Sequence, residues 1–126
     1  WCALVLATVA WWVAYRGWVK PAANPAMSGR ALAERIAAES SGGEPVIVFG
    51  PLEETLSFYS RRRLEWMDTP QIPATLERLS GPERVLLVTT EAGWEMLLAA
   101  RPGLSLLDAG SGTVGDERFL LKAHRP

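Results

Sequence analysis

Hydrophobic and polar positions follow two regimes along the chain. The first fifteen residues, Trp1 to Tyr15, carry no charge, and every charged residue comes after them. Beyond Pro25, short apolar runs alternate with stretches of helical spacing. Leu32 and Ile36, with Ala33 and Ala37, mark one face of a helix over about 29–39, with Ser28 as its N-cap and Gly42-Gly43 as its stop. Val46-Ile-Val-Phe49 is apolar and rich in β-branched residues and reads as a buried strand ended by Gly50-Pro51. Pro51, Glu53 and Glu54 suit a first helical turn, where φ is fixed and anions meet the positive helix end. Leu52, Leu56 and Tyr59 give that helix its face, and Arg61-Arg62-Arg63 close it.

The alternation continues. Leu64-Glu-Trp-Met67 predicts a short strand, 73–79 a helix, Val85-Leu-Leu-Val88 a second clear buried strand, and Glu91–Ala100 a helix with Trp94, Leu97 and Leu98 on one side. Leu104-Ser-Leu-Leu107 predicts a third clear strand, and Phe119–Ala123 a last one, joined by a Gly-rich loop. Strand–helix alternation implies a parallel sheet, because parallel neighbours need a crossover. The final connection lacks a helical pattern, which predicts an antiparallel edge for the last strand. The fold class expected is α/β, a small Rossmann-like, mostly parallel sheet with flanking helices, preceded by the end of a transmembrane helix.

The uncharged opening suits a membrane better than the alternatives. A signal peptide should carry basic residues before its apolar run. Here Arg16 and Lys20 follow it, and Trp11, Trp12, Tyr15 and Trp18 cluster at its end, as rings do at the headgroup level. A buried core helix is the other alternative. Fifteen helical residues rise about 22 Å, short of the ~30 Å hydrocarbon core, and no initiator Met is present. The chain is therefore expected to be a piece of a longer protein, with the rest of the span upstream. The division expected is residues 1–18 as the C-terminal part of a transmembrane helix, 19–27 as a Pro-containing linker, and 28–126 as a soluble α/β domain. Arg16 and Lys20 would by the positive-inside tendency place that domain in the cytoplasm.

Charge and chemistry narrow the function. With 13 basic and 14 acidic residues, there is no electrostatic case for nucleic acid. The single Cys2 and the single His124 lie at opposite ends of the chain and cannot build a metal site or a nucleophile–base pair by themselves. One string looks like chemistry. Leu107-Asp-Ala-Gly110-Ser-Gly112-Thr-Val-Gly115 is similar to the glycine loop of S-adenosylmethionine-dependent methyltransferases and loosely to dinucleotide loops. Such a loop should open a helix, whereas residues 116–118 run straight into the apolar segment 119–123. A strand connection with φ > 0 at one or more glycines is the reading preferred.

Other residue groups have a binding reading beside a local one. Arg61-Arg62-Arg63 suits phosphate or a basic helix end, and Ser57-Phe58-Tyr59 suits a membrane or substrate contact or a packing face. Glu53 and Glu54 suit a general acid and base or helix-dipole partners, and His124 reads as solvated. Asp68 and Asp108 fall at C-terminal strand ends, where α/β folds place ligands, although loop and cap roles are commoner there. Tyr59, Arg61 and Arg63 are the candidate substrate-binding residues. No catalytic, cofactor-binding or metal-binding residue is assigned, and no cofactor is expected.

The order of segments is more specific than any single motif. The aromatic-edged apolar segment leads to Pro45-Val-Ile-Val-Phe-Gly50, then Leu56-Ser-Phe-Tyr59 with Arg62 or Arg63, then Arg84-Val-Leu-Leu-Val-Thr89 and Trp94-Glu95. Over about residues 1–123 this resembles the extracytoplasmic C-terminal domain of bacterial integral-membrane glycosyltransferases. These are relatives of the dolichyl-phosphate-mannose–protein mannosyltransferases and of the aminoarabinose transferases that modify lipid A. The resemblance implies that the full enzyme moves a sugar from a polyprenyl-phosphate donor, with its catalytic acidic residue in an early loop that nothing in this chain matches. It also implies a membrane protein whose soluble domain is periplasmic or extracellular, against the charge reading. Its partners would be the lipid bilayer and, through the upstream region, a polyprenyl-phosphate-linked sugar. The alternative carried beside it is a membrane-tethered α/β interaction domain with no enzymatic activity.

Overall fold

The computed structural model describes residues 2–15, 29–40, 42–50 and 54–124. In chain order these form α1 (Cys2–Ala14), α2 (Arg30–Glu39), β1 (Val46–Phe49), α3 (Glu54–Ser60), β2 (Leu64–Met67), a 3₁₀ turn (Thr69–Gln71), α4 (Ile72–Arg78), β3 (Val85–Thr90), α5 (Glu91–Ala100), β4 (Leu107–Val114) and β5 (Glu117–His124). Ser28, Pro51, Leu52, Glu53 and Trp18, which carried sequence expectations, lie outside the described residues.

One five-stranded sheet organises the α/β part, in the order β2-β1-β3-β5-β4. β1 pairs in parallel with β2 and β3, with Val48 opposite Trp66 on one side and Val88 on the other. β5 runs antiparallel to both β3 and β4. Every residue of β1 and β3 is buried, as strands covered on both faces require. Alternate side chains divide between two cores. Val46, Val48, Leu86 and Val88 meet Leu32, Ile36 and Leu56 of α2 and α3. Ile47, Phe49, Val85 and Leu87 meet Leu76 and Leu79, of and just after α4, and Leu97 of α5. The result is a sheet between two helical layers.

Two sequence expectations need correction. The third clear strand is not Leu104–Leu107 but Leu107–Val114, so the Gly-rich string is itself β4 rather than a loop. Leu104 and Leu106 instead pack beside the Phe49 core as part of the approach to the strand. The final strand is antiparallel as expected, yet it lies inside the sheet, and β4 forms the edge. A two-residue turn, Gly115-Asp116, explains both corrections, because a tight turn folds β4 directly back on β5. Gly115 has φ +61, a backbone that glycine adopts without steric cost.

The carboxyl ends of β1 and β3 are tied together by polar contacts. The buried Thr89 hydroxyl donates to the Phe49 carbonyl at 2.8 Å. Thr90 caps α5, its Oγ1 accepting from the Gly93 amide at 3.1 Å, with Glu91 in the first turn. Gly93 is needed because α5 lies so close to the sheet. A Cβ there would overlap Thr89 Oγ1 and stand 3.2 Å from Phe49 Cδ1.

No helix among the described residues is long and apolar enough to cross a membrane. α1 has 13 residues, about 20 Å at ~1.5 Å per residue. Its side chains are exposed around the whole circumference, including Leu4, Leu6, Trp11 and Val13.

Gly93→Ala is expected to destabilise the chain by about 1–3 kcal/mol through overpacking. Gly103→Ala, with open space around the position, should stay within about 0.5 kcal/mol. Thermal unfolding followed by circular dichroism compares the two, and equal midpoints would refute the close-packing account of Gly93.

Candidate functional site

Tyr59 and Arg61 come together, and Arg63 does not join them. Tyr59 is partly buried near the end of α3 and packs against the Leu32–Leu56 core. Arg61, one residue beyond the helix, is exposed and has φ +52, the one positive value on a non-glycine residue among those described. The turn is held by the Arg62 amide donating to Ser60 Oγ at 3.3 Å. Beyond this left-handed residue, Arg63 lines a different surface cleft with Gly43, Glu44, Pro45 and Glu65.

α2 and α3 pack against each other, and this brings in two residues that the sequence reading missed. Arg30 and Glu34 line one open cleft of about 690 Å³ together with Tyr59 and Arg61. Arg30 Nε donates to Glu34 Oε1 at 2.8 Å, one helical turn away. That hydrogen bond, then the Glu34 charge, raises the Arg30 pKa, and Tyr59 adds a smaller contribution in the same direction. The spacing of Arg30 and Glu34 was visible in the sequence as an ordinary helix-face pair. What the sequence concealed was the packing that sets this pair beside Tyr59. The cleft has two guanidiniums, one carboxylate and one phenol. Guanidinium and phenol groups are able to donate to anions, and the described lining residues hold no nucleophile–base pair.

The remaining candidates have local structural work. Asp68 caps the 3₁₀ turn in a reciprocal pair with Gln71, whose Oε1 accepts from the Asp68 amide at 3.0 Å. Asp108 sits at the start of β4, not at the carboxyl end of a strand. Its Oδ1 accepts from the Gly110 amide at 3.1 Å, and its Oδ2 lies 3.9 Å from Lys122 Nζ. His124 is not simply solvated. It is partly buried, with Nε2 2.9 Å from the Gly81 carbonyl. Glu53 lies outside the described residues. Among the described residues, no cluster of three or more His, Cys, Asp or Glu could hold a metal.

The Gly-rich string has a packing explanation. A Cβ on Gly112 would stand 2.9 Å from Leu32 Cδ1 and 3.1 Å from Leu32 Cβ, so the glycine lets α2 lie close on β4. Gly110, φ +127, follows the irregularity that leaves Ala109 out of the ladder. Arg35 crosses Gly110 closely and donates through Nη1 to the Ser111 carbonyl at 2.7 Å. These glycines face a helix of their own domain.

No family model and no curated protein matches the chain. Two solved structures share its fold. One is the crystal structure of ArnT from Cupriavidus metallidurans in the apo state, with TM-score 0.56 and 21% identity. The other is ArnT from the same organism bound to undecaprenyl phosphate, with TM-score 0.57 and 21% identity. In both cases the match covers 78% of this chain and 20% of the ArnT chain, so the chain spans about a fifth of that length. At this identity the likeness shows the fold, a mixed sheet between helical layers.

Gly112→Ala is expected to cost about 1–3 kcal/mol by prising α2 from β4. Calorimetry of the chain with S-adenosylmethionine should detect no binding at millimolar ligand. Saturable binding weakened by Gly112→Ala would restore the cofactor-loop reading.

Proposed function

We propose that this chain is the membrane-adjoining end and non-catalytic C-terminal domain of a polytopic glycosyltransferase using a polyprenyl-phosphate sugar donor. The observation that carries the reading is the conjunction of α1 with the fold. A helix apolar on all sides is suited to lipid, and it precedes a domain whose fold recurs within a fifth of ArnT. ArnT is a lipid A aminoarabinose transferase, and one of its structures holds undecaprenyl phosphate. The segment order that resembles this enzyme class supports the same reading. Residues 1–18 are then the end of a span, 19–27 a linker, and 28–126 an extracytoplasmic domain that shapes acceptor access.

The side-chain inventory supports a non-catalytic role. Among the described residues, ion pairs join Glu34 to Arg30, Glu65 and Glu83 to Arg78, Glu44 to Arg84, Glu91 to Arg118 and Asp108 to Lys122. Tyr59 and Arg61 would face the membrane or the acceptor, and the divergence of Arg63 removes it from that surface. A second reading, a membrane-tethered interaction domain without enzymatic activity, draws on the exposed Leu107 and Met96 and on the edge strand β2.

Upstream coding sequence separates the two. The transferase reading expects several further apolar spans and an acidic residue in an early loop, and a native start within a few residues of Trp1 would overturn it. In the full-length protein, transfer of sugar from a polyprenyl-phosphate donor should survive Glu34→Ala, Asp68→Ala and Asp108→Ala with kcat within about threefold. Loss of a general acid or base typically costs 10²- to 10⁴-fold. A drop of that size in any of the three, with folding intact, would place chemistry in this domain.

A further inference from the structure

The sheet has two edges, β4 and β2, and they are finished differently. On β4, Arg35 Nη1 donates to the Ser111 carbonyl at 2.7 Å, and the strand is irregular between Asp108 and Gly110. Charged side chains on an edge and bulges within it both discourage further pairing. β2 instead runs in unbroken register with β1 from Leu64 to Met67. We infer that the free edge of β2 pairs with the same edge of a second copy of the chain, antiparallel and around a two-fold axis at Glu65. The inference concerns the α/β part alone and needs neither upstream spans nor sugar transfer.

One bond fixes the backbone direction along β2. The Gly50 amide donates to the Met67 carbonyl at 3.1 Å, with Phe49 of β1 opposite Met67. Backbone groups alternate sides along a strand, so Glu65 and Met67 face β1, while Leu64 and Trp66 turn their N–H and C=O to the free edge. That side is closed just beyond both ends. The Arg62 amide donates to Ser60 Oγ at 3.3 Å, and the Asp68 amide to Gln71 Oε1 at 3.0 Å. The groups left over are those of Leu64 and Trp66. One antiparallel register uses all of them, with Leu64 opposite Trp66 of the second copy and Trp66 opposite its Leu64. Sliding by two residues either way sets a free carbonyl against an amide already bonded to Ser60 or Gln71.

Side chains complement one another in that register. Leu64 and Trp66 both lie over the first core, so each end of the pairing sets an indole beside a leucine. Arg62 comes opposite Asp68 at both ends, and neither has an ion pair among the described residues. Glu65 meets its own copy at the axis, where like charges oppose pairing. Each carboxylate is matched by Arg78, whose Nη2 donates to its two oxygens at 3.2 and 3.3 Å. The charges therefore balance around the axis and attract at the ends. Such an interface is isologous, and its short overlap makes it a weak, reversible contact.

The experiment uses the 126-residue chain in detergent, followed by sedimentation equilibrium up to about 1 mM, where weak dimers populate. The chain should form dimers. Arg62→Glu should weaken them about tenfold, because an attractive pair at each end becomes repulsive, while leaving the thermal midpoint unchanged. Adding Asp68→Arg should restore association, since both ends regain opposite charges. Leu107→Glu, on the β4 edge, should have no effect. A second readout does not depend on the Asp68 turn. In a Cys2→Ser background, Glu65→Cys should cross-link to itself on mild oxidation, because residues opposed at a non-hydrogen-bonded position have Cα atoms about 4.5 Å apart. Thr113→Cys, on the β4 edge, should not. A chain monomeric throughout overturns the proposal. So does a dimer indifferent to Arg62→Glu, as association through α1 would be, or a Thr113→Cys that cross-links as readily as Glu65→Cys. Such a failure leaves upstream spans and sugar transfer as they are, so it is distinguishable from failure of the transferase reading.

Discussion

Burial of the parallel β1–β3 pair on both faces is the constraint from which the rest of the domain follows. Neither strand presents a residue to solvent, so each face must be covered by an apolar helical stripe. α2 and α3 cover one face, and α4 and α5 the other. Phe49 occupies the second core as one of the largest fully buried side chains, and truncating such a residue typically costs about 3–5 kcal/mol. The Thr89–Phe49 hydrogen bond satisfies a buried hydroxyl while tying the carboxyl ends of the two strands. Gly93 lies close to these groups at the carboxyl ends of the two strands.

The outer half of the sheet is built differently. With no helix between β4 and β5, the chain returns by a two-residue turn, and the added strands are antiparallel. Phe119, Leu121 and Ala123 of β5 extend the first core beneath α2, while Lys122 on the opposite face stands 5.4 Å from the Trp94 ring. Glycines in β4 weaken a strand in isolation. Here they permit α2 to pack closely on one face of β4. The composition that resembles a cofactor loop is thus the composition that lets a helix pack closely on an edge strand.

Sequence periodicity carried most of the helical layers and the central strands. Val46–Phe49 and Glu91–Ala100 lie where the pattern placed them, because continuous apolar runs and capped amphipathic stretches are strong local signals. β4 was missed because Leu104–Leu107 is the more apolar segment, and strand propensity disfavours Asp-Ala-Gly-Ser-Gly. Tertiary pairing with β5 outweighs that local preference. The cleft was legible only in part. Tyr59 and Arg61 share one helix end and could be grouped from sequence, whereas Arg30 and Glu34 arrive from α2 through packing of two apolar faces. Arg63 lines a different cleft from Arg61, and no pattern of hydrophobicity encodes the left-handed backbone at that arginine.

The two halves of the functional reading have different physical warrants, and they meet at one junction. α1 exposes apolar side chains on every side, an arrangement that is costly in water and favourable in hydrocarbon. The α/β domain has satisfied its own core and ties the carboxylates of Glu34, Glu65 and Glu91 to nearby arginines. None of its described charged residues is buried, so they stand at the surface. The Arg30–Glu34 pair and Arg61 stand at that surface, and being exposed they are worth little to stability. Arginine at φ +52 makes the same point more sharply, since folding alone would favour glycine there. The features of this domain that its stability explains least are therefore gathered in one cleft, between α2 and the end of α3.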